Sequence, residues 1–314
     1  MRYLTFLMFA LLAGCTAQKS ESAAASSPQA AFVAASPPVT RAPRKTVCPK
    51  APSSSELAML VARSSSIVRG EINGKPAQIL AVKHDYLTLP VHDMAWAKGS
   101  PPPLPLAVRV YLDETYKPSG QTIAGTVGKS YLLFLTRKDA EGEQRFYFSL
   151  NDDSALQVAT PANIAAVQAE VGRQGRLLAD WAPDDTLPYY TQVRELIQQL
   201  AAISPQDEDK KEKQSAIFVA LEKLGASAVP AIVAQMDDRR ELADHNIALD
   251  NNFPGAFEAR RLYGPDEIVD ALSAILNQLT SVGFTTIYNG GTDAERDADV
   301  AGWRIYASDL LCEK

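Results

Sequence analysis

The apolar pattern of this chain changes period once, near residue 160, and that change limits the fold more than any other feature. Between residues 56 and 158, apolar residues come in short alternating or continuous runs bounded by Gly and Pro. Residues 65–72, 79–82, 106–112, 129–135 and 146–148 read as strands. Several short strands with turns between them imply a small antiparallel barrel or sandwich. From Thr160 onward the spacing becomes helical.

Thr160-Pro161 supplies an N-cap and a Pro at the first helical position, followed by Ile164, Val167 and Val171 on one face. Pro188 starts a second helix carrying Val193, Leu196, Ile197 and Leu200. Ser204-Pro205 starts a third, which Gly225 ends, and Pro230 opens a short fourth. Gly264-Pro265 precedes the most amphipathic segment, with Ile268, Val269, Leu272, Ile275, Leu276 and Leu279 on one side. Thr292 and Glu295 form a capping box before a last helix that buries Val300, Trp303, Tyr306 and Leu310.

The first residues read as an export signal. Met1-Arg2 and an apolar run end in Leu12-Ala13-Gly14-Cys15, which resembles the lipobox of bacterial lipoproteins. The run is too short for a bilayer span, which needs about 20 apolar residues. The resemblance implies cleavage before Cys15, acylation of its thiol and amine, and attachment to a bilayer through Cys15. Thr16 rather than Asp follows, which in a Gram-negative host implies the outer membrane, facing the periplasm. In a Gram-positive host the anchor is the cell membrane. Residues 16–46 are mostly Ala, Ser and Pro, too poor in large apolar groups to offset their ordering entropy. The expected organisation is a signal peptide at 1–14, a lipidated disordered linker at 15–47, a β domain at 48–159 and an α-helical domain at 160–314.

Two further resemblances refine this. Glu56-Leu57, Ser66-Ile67-Val68-Arg69-Gly70, Trp96-Ala97-Lys98-Gly99 and Gly128-Lys129-Ser130-Tyr131-Leu132-Leu133-Phe134-Leu135 together resemble the netrin module, the fold of tissue inhibitors of metalloproteinases and their bacterial relatives. The likeness implies an OB-like antiparallel barrel of five or six strands. Most of that family's cysteines are missing here, and Cys15 should be acylated, so inhibition through a free N-terminal Cys amine is not carried over. Residues 221–232, with Gly225 ending one helix and Pro230 opening the next, resemble the turn of a bacterial HEAT-like repeat. The expected fold class is therefore α+β: an OB-like barrel followed by an all-α HEAT-like domain, behind a disordered lipidated tether.

The chain of 314 residues has a formal charge of −6, without the basic footprint of a nucleic-acid binder. With Cys15 spent on lipid, Cys48 and Cys312 remain, either as a disulfide in an oxidising compartment or as two free thiols. His84-Asp85 and His92-Asp93 are weak candidates for a metal or acid–base site. They fall in a Pro-rich stretch read as an inter-strand loop. His245 stands apart. No nucleophile elbow, phosphate-binding Gly loop or His-Glu-x-x-His occurs, and no cofactor is implied. Asn289-Gly290-Gly291-Thr292 leads into a helix and could hold an anion or simply form a turn and cap. The long connection containing Phe253, Phe257, Arg260, Arg261 and Tyr263 concentrates the residue types of binding hot spots, although its aromatics could equally fill the core.

These features favour a lipid-anchored envelope protein that works by binding or assembly support, with an envelope protein as partner. An envelope hydrolase or metal enzyme using His84 and His92, and an inhibitor of a periplasmic enzyme, are the alternatives.

Overall fold

The computed structural model describes residues 56–72, 86–99, 106–111, 128–140, 143–148, 153–251 and 260–312. The expected signal peptide and linker, Cys15, Cys48, the expected strand at 79–82, His84, Asp85, Phe253 and Phe257 lie outside the described residues. Helix α1 (Glu56–Arg63) leads into β1 (Ser66–Ile72), β2 (Tyr86–Lys98), β3 (Leu106–Tyr111), β4 (Ser130–Ala140), β5 (Glu143–Phe148) and β6 (Leu156–Val158). Then come α2 (Pro161–Ala179), α3 (Tyr190–Ala201), α4 (Lys210–Lys223) and α5 (Val229–Val233). A hairpin, β7 (Ile247–Asp250) and β8 (Arg260–Tyr263), precedes α6 (Ile268–Thr280) and α7 (Asp293–Cys312). The protein thus mixes helices with a small, mainly antiparallel sheet.

The six strands run in the order β1-β2-β3-β5-β4-β6, and β1 also pairs with β4. Only β3 and β5 are parallel, with Val108 beside Phe146. The β1–β4 ladder is unbroken from Ser66–Leu135 to Glu71–Ser130. Side chains alternate across a strand, so β1 and β4 bury two faces. Val68, Ile72, Leu133 and Leu135 join Val108 and Phe146 in one cluster. Ile67, Leu132 and Phe134 point the other way, under Leu60 and Val61 of α1 and Val167 of α2. This is why residues 131–135 read as a continuous apolar run rather than an alternating one.

The sequence reading departs from the structure at β2. The stretch around Pro90 and His92-Asp93 was expected to be a loop, and it is a strand of 13 residues. Pro90 stands one residue beyond Val91, whose pairing with Ile72 is the last in the described β1–β2 ladder. A missing donor is tolerated at such a position. A register shift between Arg69, paired with Ala95, and Glu71, paired with His92, leaves Asp93 and Met94 opposite Gly70, which marks a bulge.

The helical signals mostly hold. Thr160 Oγ1 accepts from Asn163 N at 3.1 Å. Thr292 N donates to Glu295 Oε2 at 2.9 Å, and Glu295 N to Thr292 Oγ1 at 3.3 Å, which completes the capping box. Gly225 ends α4 with φ +69°, a conformation that favours glycine. Ser204-Pro205 forms a turn instead of a helix start, and α4 begins at Lys210. The helix after Pro230 is only five residues long and wholly buried. The amphipathic α6 is buried on nearly every side. Val193 and Ile197 of α3, Phe218 and Leu221 of α4, and Val300 and Trp303 of α7 share one core with its Leu272 and Ile275. The connection expected at 253–263 contributes β8, whose Tyr263 pairs with Ile247. No single helix among the described residues is long and apolar enough to cross a membrane.

Helix α1 belongs to both layers. Its Leu60 and Val61 cover the sheet, while Ala62 joins the helical core. Gln174 of α2 donates to Ala58 O at 2.8 Å, and Arg63 Nε donates to Gly283 O at 3.0 Å. Side chains therefore cross the expected boundary at residues 159–160 in both directions.

Candidate functional site

The hinge between α1 and β1 borders a concavity among the described residues. Helix α1 ends with carbonyls that lack intrahelical partners. Ser64 Oγ donates to Leu60 O at 2.7 Å. Lys98 Nζ, from the end of β2, donates to Val61 O at 2.7 Å, placing a cation at a helix C-terminus. Gly99 follows with φ +80°, and a Cβ there would lie 2.6 Å from Ser65 O. The Lys98-Gly99 pair is thus a cap followed by a turn that only glycine fits. Ser65 Oγ donates to Leu135 O at 3.2 Å and accepts from Arg137 N at 2.7 Å, which fastens the hinge to β4.

Beside this hinge lies a cleft of about 550 Å³, within the usual size range of ligand sites. Its lining includes Arg63, Lys98 and Arg137, with Ser64, Ser65, Ser66 and Thr136. The same lining includes apolar residues: Val171 and Leu178 from α2, Phe284, and Ala298, Ala301 and Ile305 from α7. Burial pushes the Lys98 amine down to about 8. The one lining acid, Glu295, is held by the N–H and hydroxyl of Thr292. Gln174, also in the lining, is buried, and its Oε1 has no hydrogen-bond partner.

Behind the cleft, Asp299 Oδ1 accepts from Thr285 N at 2.9 Å and Thr285 Oγ1 at 3.1 Å. Burial pushes its carboxyl up to about 6, against the pull of Thr285, Ser273 and Trp303. Asp299 Oδ2 has no hydrogen-bond partner. On α4, burial and the neighbouring Asp250 push Glu222 up to about 7.

Among the described residues, none of the binding, disulfide or metal candidates read from sequence lines this cleft. His92 and Asp93 lie on β2, His92 opposite Glu71. His245 is half-exposed, 3.1 Å from Asp266. Among the described residues, no group of three or more His, Cys, Asp or Glu could hold a metal. Thr292 and Glu295 form the cap at the end of the Asn289–Thr292 segment, and Asn289 Oδ1 accepts from Gly264 N at 2.8 Å. Tyr263 is a core residue: it accepts from Gln278 Nε2 at 2.6 Å and meets Tyr288 edge-on. Arg260 and Arg261 are exposed, Arg260 pairing with Asp250. Cys312 is disulfide-bonded, and its partner lies outside the described residues.

Sequence reading missed Arg63, Arg137 and Gln174. Lys98-Gly99 was visible only as part of a family-like turn. Nothing local marks these residues, because four separate elements bring them together. No family model, curated protein or solved structure matches this chain.

Proposed function

We propose that this protein is a lipid-anchored component of a bacterial cell envelope that works by binding, without catalysis, through the cleft between its sheet and its helices. The observation that carries this reading is the cleft itself: about 550 Å³, lined by both basic and apolar side chains. The Leu12-Ala13-Gly14-Cys15 sequence supports the anchor, on the outer membrane facing the periplasm in a Gram-negative host. With Cys15 acylated, Cys48 is the cysteine left to bridge Cys312. An OB-like barrel is supported by the strand order β1-β2-β3-β5-β4, the return pairing of β1 with β4 and the parallel β3–β5 contact. HEAT-like packing is supported by the sharp turn at Gly225 between α4 and α5.

Two measurements test the proposal. Cys15→Ser should abolish metabolic labelling with an alkynyl fatty acid and move the protein into the aqueous phase of a detergent partition. Labelling that persists removes the anchor. Native mass spectrometry of the protein extracted from envelopes should show a bound species that Ala298→Trp, which fills the cleft, eliminates. Identical spectra from folded wild type and variant would remove the cleft as the working site.

A further inference from the structure

We infer that residues 281–285 form a strap beside the cleft and that Asp299 is the pH-sensitive latch that holds it, closed in acid and released as the pH rises. The latch deepens the binding role proposed for the cleft, and its effect on binding rests on that role. The strap leaves α6 at Ser281, whose φ of +65° is a left-handed conformation that serine rarely adopts. No backbone–backbone hydrogen bond joins residues 282–286 to other described residues. Side chains hold the strap instead. Asn277 Nδ2 donates to Val282 O at 2.9 Å, and Arg63 Nε to Gly283 O at 3.0 Å. Asp299 Oδ1 takes both donors of Thr285, the N–H at 2.9 Å and the hydroxyl at 3.1 Å. Between these anchors Phe284 lies against Gly302, where any Cβ would collide with its ring, and it meets Trp303 edge-on. Phe284 and Thr285 line the cleft together with Arg63, Glu295 and Ala298.

The carboxyl of Asp299 is fully buried, and its second oxygen has no hydrogen-bond partner. The charged groups on the elements packed around it are engaged elsewhere. On α7, Arg296 forks onto Asp270 of α6, and Glu295 accepts from Thr292. On α1, Arg63 donates to the strap itself. A neutral carboxyl tolerates such a place. A carboxylate loses its hydration there without an ion pair in exchange, which agrees with a pKa raised from 3.8 to about 6, chiefly by burial. Helices α6 and α7 are tied by the Arg296–Asp270 fork, so the strap is the cover that yields. Its release admits water to the carboxylate, whose pKa then returns toward the ordinary value. Protonated Asp299 therefore favours the closed strap at about pH 4 and below, and ionisation favours the open one as the pH rises through about 6. From these two values the opening constant grows about fiftyfold between about pH 4 and pH 7.

The test is amide hydrogen exchange on the full chain extracted from envelopes, corrected for the intrinsic pH dependence of exchange. Protection of residues 282–286 should fall about fiftyfold between about pH 4 and pH 7. At every pH it should stay below that of α6 and respond less to low urea, because a local opening exposes little surface. Asp299→Asn should hold the strap at its acid value throughout. Thr285→Val, which removes a donor that favours the carboxylate, should move the midpoint to higher pH. A pH dependence that survives Asp299→Asn, or a midpoint that Thr285→Val leaves in place, overturns the latch. Strap amides that exchange no faster than those of α6, with the same urea response, would mean that only global unfolding uncovers Asp299, and overturn the strap. Exchange reads the latch with no ligand present. A pH-independent strap beside a cleft-bound species in native mass spectra therefore overturns the latch and leaves the cleft in use. A pH-dependent strap with no such species supports the latch and removes the cleft as the working site.

Discussion

Two seams hold this molecule together, and they are built from opposite materials. Where α1 and α2 meet the sheet, the contact is apolar: Leu60, Val61, Ile67, Leu132, Phe134 and Val167 are all buried. Where the helices meet one another around α7, buried charges intrude. Arg296 forks onto Asp270 with bonds of 2.8 and 2.9 Å and reaches Glu267 at 2.9 Å. Asp270 Oδ2 also accepts from the backbone N–H groups of residues 266 and 267. Arg173 bridges Glu170 on its own helix and Asp309 on α7, with contacts between 2.6 and 3.0 Å. An apolar seam is non-directional and tolerates changes that conserve volume. A buried ionic seam depends on every partner, because a charge left alone keeps its desolvation penalty. The ionic seam fixes how α2, α6 and α7 sit, and α2 and α7 both contribute residues to the lining of the cleft.

The largest test of this contrast is Arg296→Met. It leaves the fully buried Asp270 facing no cation, and the loss should be about 3–5 kcal/mol by urea unfolding. Adding Asp270→Asn should restore more than half, because the neutral amide can still accept from the backbone. A loss below about 1 kcal/mol for Arg296→Met would mean the ionic seam is as tolerant as the apolar one.

The next effect in size is a pH dependence at Asp299. Its folded pKa is raised from 3.8 to about 6, chiefly by burial. A carboxyl with a raised folded pKa contributes stability below its unfolded pKa and loses it as pH rises through the folded value. Asp299 therefore weakens the fold progressively between about pH 4 and pH 6, by an amount on the order of 2–3 kcal/mol. Asp299→Asn should flatten that slope, so the variant gains on the wild type in melting temperature between pH 4 and pH 7. Parallel pH profiles for the two proteins would show that this carboxylate carries no such penalty.

The smallest effect belongs to the apolar seam. Leu132→Met replaces a buried leucine on the face of β4 beneath α1 and α2 and should cost less than about 1.5 kcal/mol. It introduces the same residue as Arg296→Met into an equally buried place, so the pair measures how far charge, rather than volume, sets the cost. Equal losses at both positions would dissolve the distinction between the seams.

Legibility followed the same division. Short apolar runs on β1, β3 and β4, the Thr160 cap, the Thr292–Glu295 capping box and the apolar side of α6 could all be read from the sequence, since each is set by neighbours within a few residues. Strand β2 could not, because Pro90 and His92-Asp93 look like loop residues until β1 and β3 flank them. Glu170, Arg173 and Arg296 look like solvated helix positions, and their burial depends on a helix arriving from more than twenty residues away or more than a hundred.

By itself, then, the sequence determined the change from strands to helices, most of the helices and several of the strands, two of the caps, and the residues available to an apolar core, since these follow from local sterics, backbone hydrogen bonding and periodicity. It also carries the N-terminal lipoprotein-like signature, which is a short linear pattern. Tertiary structure alone decided that α1 joins two layers, that Lys98 caps a helix distant in sequence, and that Arg63, Lys98, Arg137 and Gln174 line one cleft. Burial, pKa and charge complementarity depend on distances in space, and no spacing along the chain encodes those distances until the packing is complete.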